Sequence, residues 1–523
     1  MSFSSRKIEA PAADSAGNRQ FAILPALEML LPTMLTRRVA PSTLLQTRGM
    51  ASLMSDVHGT THGKKHWRNK PLFRREGDKR FRNGQEAADM LVEEAERRDP
   101  YQTEFLQAVN QFVNSVVPVF DRYPKYAWVM KTLMEPERVI QFRVPWIDDT
   151  GNQRVNRGFR VQFSSSLGPY MGGLRFHPNI NHGIAKFLAF ETVFRNALAG
   201  PFGAAHGGSD FNPVDKSESE VMRFCQSYMT ELANYIGPHT DVPTAGVGVG
   251  PQEIGYMFGQ YKRLRQLHPS GTEGILSGGQ YYYPQVTGYG VVHFVDRLLQ
   301  ARGESLKGKR CLISGSGVVA LNVAEKLLDV GAIPIGMSDM FGYIVEPEGF
   351  THKNIQQLKS LKAERNARLG GYIMSSTSAL YHPHDDGSIW ETPCDYAFPC
   401  AIQNDLDGEA VKTLIKNGCN GIFEGANMPC TDEAIEIIKQ HDLAYAPNKA
   451  ANGASLALAV HNLGTKELTP EQLDEVVKDY MYKLHDRVAA TAADFNAHGD
   501  LHVGVNIAGF LAVAQAMFRQ GAV

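Results

Sequence analysis

From about Gly308 onward, short apolar runs alternate with longer stretches in which apolar positions recur every three or four residues. This alternation predicts an α/β region, a parallel sheet wrapped by helices. The first unit is the clearest. Residues 310–313 read as a strand, and Gly315-Ser316-Gly317-Val318-Val319-Ala320 follows as a G-x-G-x-x-A turn. Ala320, Val323, Ala324, Leu327 and Leu328 then recur at helical spacing until Gly331, a residue suited to ending a helix. A second strand, 333–337, runs into Ser338 and Asp339. In such a unit Gly315 permits the tight turn, Gly317 lets backbone approach a pyrophosphate at the helix start, and small Ala320 lets helix and strand pack closely. Asp339 stands where a ribose-binding carboxylate is expected. A glycine triplet alone is weak evidence; inside strand, turn, helix and strand it predicts a dinucleotide fold.

Three further strands, 395–398, 422–424 and 443–446, each end in a polar loop. The loops are Pro399-Cys400-Ala401-Ile402-Gln403-Asn404, Gly425-Ala426-Asn427-Met428-Pro429 and Asn448-Lys449-Ala450-Ala451-Asn452. Amide-rich loops therefore gather at the carboxyl ends of the strands, where an open parallel sheet takes its ligand. Singly, each amide also suits a loop that only satisfies its own backbone. Between the loops, Thr431 is placed to cap a helix whose first turn holds Asp432 and Glu433. The preceding stretch, 168–250, is dense in glycine-rich turns and helical amphipathicity.

At 523 residues the chain exceeds one ordinary core, so two or three domains are expected. A formal net charge of −2 argues against a global nucleic-acid or membrane field. The six cysteines have no C-x-x-C pair or regular spacing, the pattern of free thiols in a reducing compartment and not of a disulfide frame or zinc site. No metal site is expected. The longest apolar stretch, 21–36, is too short for a bilayer and is interrupted by Pro25, Glu28 and Pro32.

Charge distribution changes the picture at the amino terminus. Residues 29–55 contain no acidic residue, while Arg37, Arg38 and Arg48 lie among Ser, Thr, Leu and Ala, the composition of a mitochondrial transit segment and also of a disordered tail. A basic run follows: Lys64, Lys65, Arg68, Lys70, Arg74, Arg75, Lys79, Arg80 and Arg82 face only Glu76 and Asp78, with Trp67, Phe73 and Phe81 interleaved. Such a run suits RNA phosphates and bases, or a solvated or partner-bound arm.

The segments GPYMGGLRFHPNI, GAAHGGSDFNP, DVPTAGVGVG, YPQVTGYGVVHF, GSGVVA, PCAIQNDLD, EGANMP, APNKAANGA and NIAGF occur in one order from about Gln102 to the end. In that order they resemble the hexameric glutamate dehydrogenases of the Glu/Leu/Phe/Val dehydrogenase family. The resemblance implies an amino-terminal substrate (dimerisation) domain at 101–296, to which 503–523 returns, and a Rossmann-type NAD(P)-binding domain at 297–502. It leaves 1–57 as a targeting or disordered segment and 58–100 as a basic arm. It further implies hydride exchange between a nicotinamide cofactor and glutamate in a cleft, and a hexamer.

Oxidative deamination needs cations for two substrate carboxylates, a lysine of lowered pKa and a carboxylate to carry amine protons. The resemblance places the catalytic lysine at His206 and the catalytic carboxylate at Gly246. A substrate-binding lysine falls on Met171, a glutamine and lysine on Thr192 and Arg195, and a serine on Ala459. On the cofactor side Val318 and Ile402 replace polar residues, while Thr287, Gly315, Ser316, Gly317, Asp339, Gln403, Asn404 and Asn427 fit the pattern. The expectation is a family member with its reaction groups replaced, serving as a structural or regulatory subunit of a mitochondrial-matrix assembly. It would be either a homo-oligomer or a hetero-assembly, with NAD(P) bound or lost. The alternative is an active NAD(P)-dependent amino-acid dehydrogenase in which His206 and Arg195 serve a changed substrate.

Overall fold

The computed structural model describes residues 81–265, 283–364, 367–456 and 468–521. The expected targeting segment, nearly all of the basic run and Ala459 lie outside the described residues.

The first lobe opens with four helices, α1 (Gly84–Arg98), α2 (Thr103–Ser115), α3 (Val117–Arg122) and α4 (Tyr126–Leu133). Strands β1 (Arg138–Ile147), β2 (Gln153–Ser164) and β3 (Tyr170–Phe176) follow, then helix α5 (His182–Ala199) and strand β4 (Ala204–Ser209). Helix α6 (Glu218–Leu232), strand β5 (Asp241–Thr244) and helix α7 (Pro251–Arg265) complete it. The sheet order is β1-β2-β4-β3-β5, antiparallel from β1 through β4 and parallel from β4 through β5. Helix α5 starts where the Asn181 side chain accepts the Ile184 amide. Nearly all of its side chains are buried, because it lies between the sheet and α2. Phe190 and Phe194 close on Phe112, whose ring stacks on Phe194 with centroids 3.6 Å apart. Each such ring contributes about 1.5–3 kcal/mol by burial.

The second lobe runs α8 (Val286–Ala301), β6 (Arg310–Ser314), α9 (Val318–Asp329), β7 (Ile333–Asp339), β8 (Gly342–Val345), α10 (His352–Ala363) and β9 (Leu380–Pro383). It continues with β10 (Tyr396–Pro399), α11 (Gly408–Lys416), β11 (Gly421–Phe423), α12 (Asp432–Gln440), β12 (Ala444–Ala446) and the single turn α13 (Asn448–Ala451). Helices α14 (Pro470–Asp494) and α15 (Leu501–Gln520) end it. The strand order is β12-β11-β10-β6-β7-β8-β9, with the strands from β12 to β7 parallel and β8 and β9 antiparallel at the edge. This is the doubly wound sheet the alternating pattern predicts; the antiparallel pair is an addition. From β6 the chain crosses to β7 on one side and later returns to β10 on the other, which opens a crevice above β6. Gly331, at φ +80°, follows the end of α9 as expected.

Two boundaries differ from those read in the sequence. Residues 84–98, expected within the basic arm, form α1, whose Ala87, Ala88, Leu91 and Ala95 belong to the first lobe's core. The second lobe begins before residue 297, because Val286, Val291, Val292 and Val295 of α8 are buried in its core. The reason is the same in both places: an apolar helical stripe needs a partner, and local charge does not show which core supplies it. Helix α15 returns as expected, placing Ile507, Phe510, Val513 and Met517 in the first lobe while Leu501 and Val505 join the second. It is the one helix among the described residues long and apolar enough to cross a bilayer, but 61% of its apolar window is buried inside the protein, as in a core helix.

Candidate active-site cleft

The nucleotide crevice is built by two loops that touch. Gly315, at φ +84°, donates its amide to Ser338 Oγ at 3.0 Å. A methyl group on it would lie 3.1 Å from the backbone of Ala401, in the loop after β10. The position therefore requires glycine for both its left-handed backbone and the close approach. Gly317 precedes α9 with extended backbone and no side-chain cap, and a methyl group on it would meet nothing within 4 Å. No side chain caps the start of α9, which leaves its first amides available to phosphate oxygens. Ser316 is buried in the turn, and Thr287 is half-buried in the first turn of α8. Val318 and Ile402 are each about half exposed, at 49% and 47%, on the two loops.

The other nucleotide candidates are already engaged by the protein. Asp339 accepts the Phe341 amide at 2.9 Å on one oxygen and the Leu369 amide at 2.7 Å on the other, so its first task is holding the loops beyond β7. Gln403 accepts Arg175 Nη1 at 3.0 Å from the first lobe. Asn404, at φ +56°, exchanges two amide hydrogen bonds with Gln107 of α2, at 2.8 and 2.9 Å. Asn427 accepts from Asn452 Nδ2 at 3.0 Å.

On the facing lobe, His206 sits in β4, paired with Val161 of β2. It is buried, its Nδ1 has no hydrogen-bond partner, and a methyl group on Gly173 would come within 2.9 Å of its Nε2. Burial, reinforced by the charges of Arg175, Arg160 and Arg195, holds its pKa well below the ordinary histidine value. The imidazole is therefore neutral at pH 7. Arg160 is fully buried and bidentate on Asp241, with Nε 2.9 Å from Oδ2, and Gln162 donates to the same oxygen at 3.0 Å. Arg175 has no carboxylate partner; burial lowers its pKa to about 10.

At Gly246, expected to be the acid position, the backbone has closed in. Gly246 and Val249 pair through both amides at 3.1 and 3.0 Å, and Phe176 donates to Val247 at 2.9 Å. A methyl group on Gly246 would stand 2.3 Å from the Leu174 carbonyl oxygen. Met171 is half-buried on β3, and its carbonyl accepts Asn196 Nδ2 at 3.1 Å. Thr192 turns its hydroxyl back to Leu188 O at 2.7 Å and so offers it to nothing in the cleft. Arg195 keeps its charge, and its buried Nε has no partner.

The structure brings Met171, Thr192, Arg195, His206 and Gly246 together on β3, β4, α5 and the turn after β5, all in the first lobe. It adds a pair that reading the sequence missed: Lys449 of α13 and Glu191 of α5, both buried, with Nζ and Oε1 2.6 Å apart. The APNKAANGA segment contains the lysine, but nothing local marks its partner. Lys449 Nζ lies 5.9 Å from the Phe112 ring, so the pair ties α13 to the α2 and α5 packing. Among the described residues no cluster of three or more His, Cys, Asp or Glu could hold a metal.

A doubly wound sheet with a glycine turn at its switch point, facing a second α/β lobe across a cationic cleft, defines a nucleotide-dependent dehydrogenase class of fold. Residues 136–263 match the family model described as Glu/Leu/Phe/Val dehydrogenase, dimerisation domain, and residues 278–521 match Glutamate/Leucine/Phenylalanine/Valine dehydrogenase. The chain belongs to this family. The NADP-specific glutamate dehydrogenase of Chlorella sorokiniana is 47% identical over 447 residues, 83% of this chain and 84% of that protein. That of Escherichia coli K12 is 41% identical over 444 residues, 83% and 98%. The crystal structure of Plasmodium falciparum glutamate dehydrogenase superimposes with a TM-score of 0.78 at 42% identity, covering 84% of this chain and 96% of that one.

Proposed function

We propose that the chain is a catalytically degenerate glutamate dehydrogenase family member, retained as a structural or regulatory subunit of a mitochondrial assembly. One observation carries this reading: the two positions that must move protons hold a buried neutral imidazole and a glycine whose backbone leaves no room for a side chain. His206 cannot supply the cation that polarises a substrate carbonyl, and nothing at Gly246 can accept an amine proton. The buried Lys449 and Glu191 do not replace them, because each neutralises the other inside the helix packing. Removing one acid-base group costs about 10²–10⁴ in rate, and with both gone glutamate turnover falls by at least roughly 10⁴.

Nucleotide binding is retained in this reading. The Gly315 turn and the uncapped start of α9 fit a pyrophosphate, and the relatives named above are NADP-specific. When bound, NADP(H) would supply hydride chemistry; the chain's own residues would only seat it, with Val318 and Ile402 against its apolar faces. Assembly as a homo-oligomer, or with other mitochondrial proteins, is supported by the dimerisation-domain match and the acid-poor amino-terminal segment. An assay of NADP and NAD reduction by the purified protein over a panel of amino acids tests the proposal. No saturable turnover is expected. Turnover abolished by His206→Ala would establish the rival reading, a working dehydrogenase of changed substrate.

A further inference from the structure

The six cysteines are all buried and reduced, and the fold brings three of them, scattered in sequence, to the amino ends of β6, β10 and β11. Cys311 lies in β6 beside Tyr396. Cys394 precedes β10 by two residues and Cys419 precedes β11 by two. Because Tyr396 pairs with Gly421, the parallel register continued two residues back sets Cys394 opposite Cys419. Backbone bonds beyond the strands hold that continuation, Asn420 N to Asp395 O at 2.8 Å and Asp395 N to Arg310 O at 2.9 Å. Neighbouring strands lie about 4.8 Å apart, inside the Cα separation of about 4.4–6.8 Å that a disulfide spans. Both cysteines belong to one buried cluster, and the Cys419 thiol donates to the Gly421 carbonyl at 3.3 Å. They sit one layer down, beneath the exposed Pro393, Gly418 and Asn420.

We propose that Cys394 and Cys419 are a modification site, a dithiol that a small hydroperoxide converts reversibly to a disulfide. The Cys419 thiolate attacks the terminal peroxide oxygen and the O–O bond breaks, leaving a sulfenic acid and a hydroxide or alkoxide that takes a proton and departs as water or alcohol. The Cys394 sulfur, giving up its proton, then attacks the Cys419 sulfur; the S–O bond breaks and a second water leaves. Two thiols and one hydroperoxide become one disulfide, one water and one water or alcohol, with two electrons passing from sulfur to oxygen. The order follows from the surroundings: the neighbouring Cys394 side chain holds the Cys419 thiol below its ordinary value, whereas burial pushes the Cys311, Cys400 and Cys430 thiols up. The bond would close the segment from 394 to 419, which carries Gln403 and Asn404, the residues that tie this lobe to Arg175 and Gln107. Oxidation thus staples the unit that holds the lobes together, whether or not the cleft turns over substrate.

The test treats the full chain with hydrogen peroxide, blocks free thiols under denaturing conditions, and maps peptides without reductant. A Cys394–Cys419 linked peptide is expected, lost on adding dithiothreitol and absent from Cys394→Ser. The wild-type map decides by itself if that variant does not fold. The proposal is overturned if both thiols remain fully alkylatable after peroxide, if Cys311 or another cysteine takes the link, or if only irreversible higher oxides form.

Discussion

Gly246 stands where the family resemblance implies a carboxylate, and the backbone around it is closed. With no side chain to accommodate, the turn after β5 presses against β3, and the space an aspartate needs is filled by the Leu174 carbonyl. Gly246→Asp alone is therefore expected to restore no turnover and to lower stability by about 1–3 kcal/mol in urea unfolding; a gain of activity at unchanged stability would contradict this account. His206 makes a second prediction. Unfolded histidine takes up a proton below about pH 6.5, whereas the buried imidazole among three arginines does not. The unfolded state then binds more protons, so stability is constant above that pH and falls as the pH drops from about 6.5 to 5. His502, whose pKa burial lowers to about 3, acts in the same direction. Urea midpoints measured from pH 7 to 5 should decline, and His206→Gln should reduce the slope by about 1.4 kcal/mol per pH unit. An unaltered slope would mean that the imidazole is charged in the folded chain.

At the scale of elements, the β6–α9 unit is set by local chemistry and confirmed by its surroundings. The turn demands a left-handed Gly315, the helix begins after Gly317 with no side-chain cap, and Gly331 follows its end. Gly315→Ala is expected to cost about 1–3 kcal/mol, since it strains the backbone and meets the loop after β10. Fluorescence titration should also show weaker NADPH binding by this variant; equal affinity would show that the crevice does not seat the pyrophosphate. The amide-rich loops were legible as a group at the strand ends but not in their tasks. Asn404 and Asn427 turn to protein partners, and Asp339 to two backbone amides, because those partners come from α2 and from loops remote in sequence.

Across the whole molecule, the two lobes are joined by polar ties as well as by α15. Gln107–Asn404, Asn110–Asp432 at 2.9 Å, Arg175–Gln403 and the buried Lys449–Glu191 pair all cross between them. Gln107→Ala combined with Asn110→Ala removes two of these ties while leaving the cores intact. Small-angle scattering should then report a larger radius of gyration than for the parent chain. An equal radius would show that apolar packing alone fixes the lobes.

The pattern of apolar positions and glycines by itself determined the parallel sheet and the nucleotide turn, because periodicity, glycine backbone freedom and helix ends are local properties; the return of the last helix came from the family resemblance. The motif order also marked Met171, His206 and Gly246 as positions where the resemblance implies a lysine, a second lysine and an aspartate. Only the tertiary structure decided that His206 is neutral, that the Gly246 turn has closed, that Lys449 meets Glu191 and that Cys394 faces Cys419. Burial, and the identity of the nearest charge or thiol, depend on segments hundreds of residues apart or on neighbouring strands in register, and no local pattern encodes that distance.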